Sequence, residues 1–303
     1  MIELEKLSTE QRNPHTACID QVSTLEMTRL MNAEDKQVAT AIEPILPAVA
    51  TAIDVIAHRL RLGGRLFYMG SGTSGRLGIL DAAECPPTYS TDPDRIQGLI
   101  AGGYEAIFRA QERAEDSEVL GEQDLRGHGL TAADIVVGLS ASGRTPYVVG
   151  GLRYARDTGA AAISICCSKN SHIARYSHID LCALVGPEII TGSTRMKAGT
   201  AQKMLLNMLS TGAMIRLGKV YGNLMVDVKA SNQKLEERAR RIVMEVTGCN
   251  RAAAIAALKD ADGKAKTAIV ILLLHVSAAE AKARLIRCHG HISQVLMEER
   301  HDQ

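Results

Sequence analysis

Two loops in this chain carry the residue types that hold an anionic group. Gly70-Ser71-Gly72-Thr73-Ser74-Gly75-Arg76 follows the apolar run Arg65-Leu66-Phe67-Tyr68-Met69, and Ser140-Ala141-Ser142-Gly143-Arg144-Thr145 follows Ile135-Val136-Val137-Gly138-Leu139. Both contain Ser-Gly-Arg, and both lead into helix-like sequence. Free backbone N–H groups, hydroxyl donors and the positive end of a helix dipole together suit a phosphate. One such loop reads equally well as a Ser/Gly turn between strand and helix. Two matched loops favour phosphate, with Ser71, Thr73, Ser74, Ser142 and Thr145 as expected contacts and the Gly72 and Gly143 backbones beside them. Two carboxylates stand further along. Glu84 precedes Pro86-Pro87, which is expected to stiffen its backbone and stop the helix near Glu84. Glu115 lies in Ala114-Glu115-Asp116-Ser117, expected to close the next helical stretch. One ionised and one protonated carboxyl are the equipment of general acid–base catalysis. Spacing along the chain does not by itself bring the two together.

Other chemistries fit these residues less well. Gly70-Ser71-Gly72-Thr73-Ser74-Gly75 is a literal Gly-x-Gly-x-x-Gly, the dinucleotide fingerprint. That fingerprint wants an acid ending the next strand, but Asp92 and Asp94 precede the run Ile96–Ile100. No Gly-Lys-Ser/Thr follows the glycines, which disfavours a nucleotide P-loop. His289-Gly290-His291 lacks Cys or carboxylate partners at a metal-ligand spacing, so a structural or helix-terminal role is expected and no metal. Arg195 and Lys197 precede an apolar helix, where they suit a bound carboxylate or phosphate and equally suit solvated charge.

These residues need a scaffold. The chain has 303 residues, 46% hydrophobic and 23% charged, enough for a sizeable core. A net charge of +1 and 3% aromatics argue against a nucleic-acid surface. Seven Cys with no Cys-x-x-Cys spacing imply free thiols in a reducing, cytoplasmic setting. The polar stretch Met1–Thr16 holds no apolar signal core, and the most apolar run, Ala268–Val276, is too short for a bilayer, so no membrane partner is expected. Residues 1–55 read as a helical segment, with Ser23 or Thr24 as a cap and Pro47 opening a second helix. Residues 56–230 alternate strands (65–69, 96–101, 135–139, 161–166, 181–185) with helices (75–84, 104–113, 146–158, 198–217). That alternation predicts an open α/β parallel sheet with ligands at its carboxyl ends. Residues 231–303 read as a small helical bundle, with caps at Asn232, Asn250 and Ser277.

The run Gly72-Thr73-Ser74-Gly75-Arg76-Leu77-Gly78-Ile79-Leu80-Asp81-Ala82-Ala83-Glu84-Cys85-Pro86-Pro87-Thr88 resembles the signature of the N-acetylmuramic acid 6-phosphate etherases. Ala141–Val148, Gly192-Ser193-Thr194-Arg195-Met196-Lys197-Ala198-Gly199-Thr200-Ala201-Gln202-Lys203 and Asn223–Val228 resemble it too, in the right order over nearly the whole chain. Ser71 and Ser140 stand where that family commonly has small residues such as Ala. The resemblance implies a sugar-isomerase-type (SIS) phosphosugar domain, a flavodoxin-like three-layer fold with helical flanks, and a cytoplasmic homodimer. It implies a lyase that splits a D-lactyl ether from a phosphosugar during cell-wall recycling, without a cofactor. By motif it assigns Glu84 as proton donor and Glu115 as second catalytic carboxylate; Ser193 and Lys197 are further expected substrate contacts. A non-catalytic phosphosugar sensor, a phosphosugar isomerase and a nicotinamide dehydrogenase are the rival readings. A sensor needs no carboxylate pair, and the dehydrogenase lacks its acid after the second strand.

Overall fold

Uninterrupted Val, Ile, Leu and Phe leave a strand no polar face, so such runs belong in a sheet covered on both sides. The computed structural model, which describes residues 8–227 and 233–301, has five sheet strands, β1 (Leu66–Gly70), β2 (Ile96–Ile100), β3 (Ile135–Leu139), β4 (Ala161–Cys166) and β5 (Ile179–Cys182); β1 and β3 are such runs, while Gln97, Ser164 and Asp180 interrupt β2, β4 and β5. They pair in the order β2-β1-β3-β4-β5, all parallel, and β1, β3 and β4 are buried along their whole length. Chain direction along the sheet reverses between β1 and β3. At such a switch point the connections leave to opposite faces and open a crevice beyond the strands' carboxyl ends. Gly70 pairs with Leu139, so the two serine-bearing loops begin side by side there.

The chain divides into two compact units, Met1–Ala83 with Pro93–Ser210, and Glu84–Asp92 with Thr211–Gln303. In the first, α1 (Thr24–Ile42) is capped by the Ser23 side chain, which accepts from the Glu26 amide. After a 3-10 turn at Glu43–Ile45 comes α2 (Leu46–Arg61), with Pro47 in its first turn. The stretch Thr24–Arg61 has the length and composition of a membrane span. The turn at Glu43–Ile45 interrupts it, and Val49, Ala52, Ile56, Ala57 and Leu60 are buried.

Three expectations for the helices are corrected. The helix after the first loop, α3 (Gly72–Tyr89), does not stop near Glu84 but runs through Pro86 and Pro87. Proline forbids its own amide bond, not the turn after it, and the Ser90 amide bonds the Pro86 carbonyl at 3.0 Å. Ser90, with φ 51°, ends the helix. The expected helix 104–113 shrinks to α4 (Glu105–Phe108), bounded by left-handed backbone at Gly102, Gly103 and Arg113. Glu115 does not close a helix either; it lies in a 3-10 turn, Ala114–Asp116, ahead of a helix the sequence hid, α5 (Glu118–Gly127). The Ser117 hydroxyl caps α5. Gly121 abuts the backbone of α6 (Pro146–Thr158), since a Cβ there would lie 1.9 Å from the Tyr147 carbonyl oxygen. Read from sequence, that glycine looks like a helix breaker. Here it lets two helices approach.

α7 (Lys197–Arg216) leads to a short hairpin, β6 (Val220–Tyr221) and β7 (Leu224–Met225). Then follow α8 (Gln233–Thr247), α9 (Arg251–Asp260), α10 (Ala265–Leu274), α11 (Ala278–Arg287) and α12 (Ile292–His301). Their core joins Ile242, Val243, Ala268, Ile269, Val270 and Leu285. Asn250 and Ser277 cap as expected, each side chain accepting the amide three residues on. The cap expected at Asn232 and the boundary at 230/231 fall outside the described residues. His291 takes a helix-terminal role, its Nε2 lying 3.1 Å from the carbonyl of Arg216, the last residue of α7.

Candidate functional site

Gly70 ends β1 where nothing larger fits, because a Cβ would sit 2.9 Å from the Gly75 nitrogen. Gly72, with φ 50°, lets the chain turn straight into α3. The Ser71 hydroxyl is thereby aimed at Glu115, donating to Oε2 at 2.5 Å. Ser71, Gly72, Arg76, Gln111, Glu112 and Glu115 are among the residues around a pocket of about 190 Å³. Arg76 is turned to the pocket's wall: its Nε and a terminal nitrogen donate to the carbonyls of Ile107 and Ala106, each at 2.8 Å. This guanidinium, for which sequence reading found no role, pins the short α4 beside the loop. Ser74 is buried and donates to Oε1 of Gln202 on α7 at 2.8 Å, while the Gln202 Nε2 is buried with no hydrogen-bond partner. Thr73 is half-buried on the first turn of α3.

The second loop closes on itself around Ser140. The buried Ser140 hydroxyl accepts from the Arg144 amide at 3.2 Å and lies 2.8 Å from the Thr145 hydroxyl and 3.4 Å from that of Ser142. Gly143 has φ 69°, and its carbonyl accepts from the amides of His172 and Ile173. An added Cβ would meet Ser171 at 2.1 Å. Ser142, Gly143 and Thr145 thus form one preorganised turn at the head of α6.

Ser193 is half-buried in the turn before α7, its amide donating to the Ile190 carbonyl at 2.9 Å. Lys197 is neither solvated nor open to a ligand, for it is 1% exposed and its Nζ donates to Glu34 Oε2 at 2.5 Å. Glu34 also meets Nδ1 of His15 at 2.8 Å. Burial pushes the Glu34 carboxyl up, but hydrogen bonds from Lys197, His15 and Asn13 outweigh it and hold the carboxyl below the usual range. Glu188, also buried, accepts from the amides of Lys197 and Ala198 at 2.9 Å each and so caps α7. Nothing in the sequence marked Glu34 or Glu188 as partners, since neither lies within a quoted motif and Glu34 is 163 residues from Lys197.

Within the first unit the structure therefore joins Glu115 to Ser71 and Gly72. Glu84 is exposed on α3 and belongs to the second unit. There its segment is held by Ser90, whose hydroxyl donates to the Asp227 carbonyl.

Residues 48–156 match the family described as the glucokinase regulatory protein N-terminal SIS domain, and residues 122–212 match the SIS domain family. The chain is 55% identical over 297 residues to an N-acetylmuramic acid 6-phosphate etherase of Clostridium beijerinckii, covering 98% of each chain. It is 57% identical over 293 residues to the etherase of Aeromonas hydrophila subsp. hydrophila, covering 97% of this chain and 98% of the other. Among solved structures, a putative phosphosugar isomerase involved in capsule formation from Bacteroides fragilis superposes with a TM-score of 0.51 at 19% identity. That superposition covers 66% of this chain and 95% of the other and shows a shared fold.

Proposed function

Because the chain belongs to the N-acetylmuramic acid 6-phosphate etherase family, we infer that it cleaves the D-lactyl ether of N-acetylmuramic acid 6-phosphate. The products are N-acetylglucosamine 6-phosphate and D-lactate, a carbon–oxygen lyase reaction of cell-wall recycling. The observation that carries this reading is the identity of 55–57% to etherases along nearly the whole chain.

The chemistry needs two proton-transfer groups. Opening the sugar ring exposes an aldehyde at C1, which acidifies the proton on C2. Glu115 is the base that takes this proton, with Ser71 orienting its carboxylate. Glu84 is the acid that protonates the C3 ether oxygen as lactate leaves. Water then adds across the C2–C3 double bond. The phosphate is held by the two loops, through Ser71, Gly72, Thr73 and Ser74 at β1 and Ser142, Gly143 and Thr145 at β3, with Ser193 nearby. Two N-terminal helix ends and the switch-point crevice support that placement. Lys197, committed to Glu34, acts on this reading by fixing the start of α7.

The reading includes a cytoplasmic homodimer, supported by the exposed Leu25 and Leu62 and the Tyr104–Phe108 ring pair on the first unit. Sedimentation of the purified chain at twice the 32.5 kDa protomer mass is expected, and a monomer at all concentrations refutes it. The direct test of function is D-lactate release from the phosphorylated muramic sugar. Glu84→Ala is expected to lose about 10²–10⁴-fold in turnover while still binding the product phosphosugar. Undiminished lactate release by that variant would sink the acid assignment.

A further inference from the structure

Cys166 and Cys182 end β4 and β5 as register partners, so both side chains project from the same face of the sheet. Asp180, two residues before Cys182 along β5, shares that face. We propose that Cys166, Cys182 and Asp180, closed by the Ser168 carbonyl, form a tetrahedral site for a thiophilic dication of the zinc class. The proposal does not depend on the etherase reading.

The spacing fits. Cys166 Sγ lies 3.8 Å from Asp180 Oδ1 and 3.6 Å from the Ser168 carbonyl oxygen, and Cys182 Sγ lies 3.4 Å from that same oxygen. Zinc–sulfur and zinc–oxygen bonds of about 2.3 and 2.1 Å place sulfur and oxygen about 3.6 Å apart on a tetrahedron. The three side-chain ligand atoms fall within 4.8 Å of one another, so closure needs small rotations only. Asp180 is already oriented, since the Ser164 hydroxyl donates to its Oδ1 at 2.6 Å. Such outer hydrogen bonds commonly position metal-binding carboxylates. Cys166 is buried, Cys182 half-buried and Asp180 exposed, which gives an ion one solvent-facing route in. Coordination releases the two thiol protons and leaves two thiolates and a carboxylate around the dication. Occupancy would clamp both ends of residues 168–180, the segment whose Ser171 and His172 back the Gly143 turn.

The test uses the full chain, stripped with a chelator and kept reduced, titrated with Co²⁺ and then Zn²⁺. One cobalt per chain with a thiolate-to-cobalt charge-transfer band, displaced by zinc, is expected. Cys182→Ser should lower the band to about half or less and weaken zinc binding at least ~100-fold, and Asp180→Asn should weaken it at least ~10-fold. Cys249→Ser should change neither. At one fixed zinc concentration the metal should also raise the thermal midpoint of the wild-type chain more than that of Asp180→Asn, whose exposed side chain is the substitution least able to disturb folding. Absence of the charge-transfer band, or equal zinc affinity in the wild type and Cys182→Ser, would overturn the site.

Discussion

Ser71 holds two places at once, a member of the loop that faces the phosphate and the donor that fixes Glu115. Ser71→Ala separates them. A solvent-facing bond to a charged group contributes roughly 1 kcal/mol, so loss of base positioning lowers kcat about five- to tenfold with KM little changed. A rise in KM at constant kcat would instead put the hydroxyl on the phosphate. Serine and glycine could be read from the sequence as loop chemistry because their donors and backbone freedom are local properties. The Ser71–Glu115 bond could not, since 44 residues separate the partners and only the fold closes that distance. Lys197 shows the limit from the other side. Its neighbours in sequence suited a ligand site, yet a distant Glu34 buries it in an ion pair. The Cys166–Cys182 pairing was likewise invisible until the strand register set the two thiols side by side.

At the scale of elements, apolar runs announced most of the strands, and β1, β3 and β4 begin and end within a residue of the expected bounds, whereas β5, expected at 181–185, lies at Ile179–Cys182 because its polar Asp180 hides its start. Caps at Ser23, Asn250 and Ser277 were readable because a cap is a local bond. α5 was not, because its glycine is justified only by α6. Gly121→Ala would drive a methyl into the Tyr147 carbonyl and is expected to cost ~1–3 kcal/mol or more, read from the denaturant midpoint at unchanged m-value. Unchanged stability would mean that α5 and α6 separate freely, contrary to the packing described.

For the whole molecule, βαβ alternation was enough to predict a parallel sheet. The two-unit division, with Glu84–Asp92 grouped with the C-terminal helices, was not legible, because that grouping rests on contacts far apart in sequence. Stability of the first unit should weaken in acid through Asp134. Burial raises this carboxyl, but bonds from Arg65 and Thr131 outweigh it, so it titrates below its ordinary value of 3.8 in the folded state. Its contribution is therefore complete above that value and fades as pH falls through the folded pKa. Thermal midpoints measured from pH 6 down to about 3 should drop at the acid end, and Asp134→Asn should flatten the drop. An identical acid slope in the variant would remove Asp134 from the account. A last property follows from the prolines inside α3. Neither ring nitrogen can tie back to the carbonyl four residues earlier, so the rungs that would end on Ala82 and Ala83 are missing, one on either step of the turn that presents Glu84. The rod is notched at that turn. Proline is a common site of helix bending, and this one falls within a residue or two of the acid.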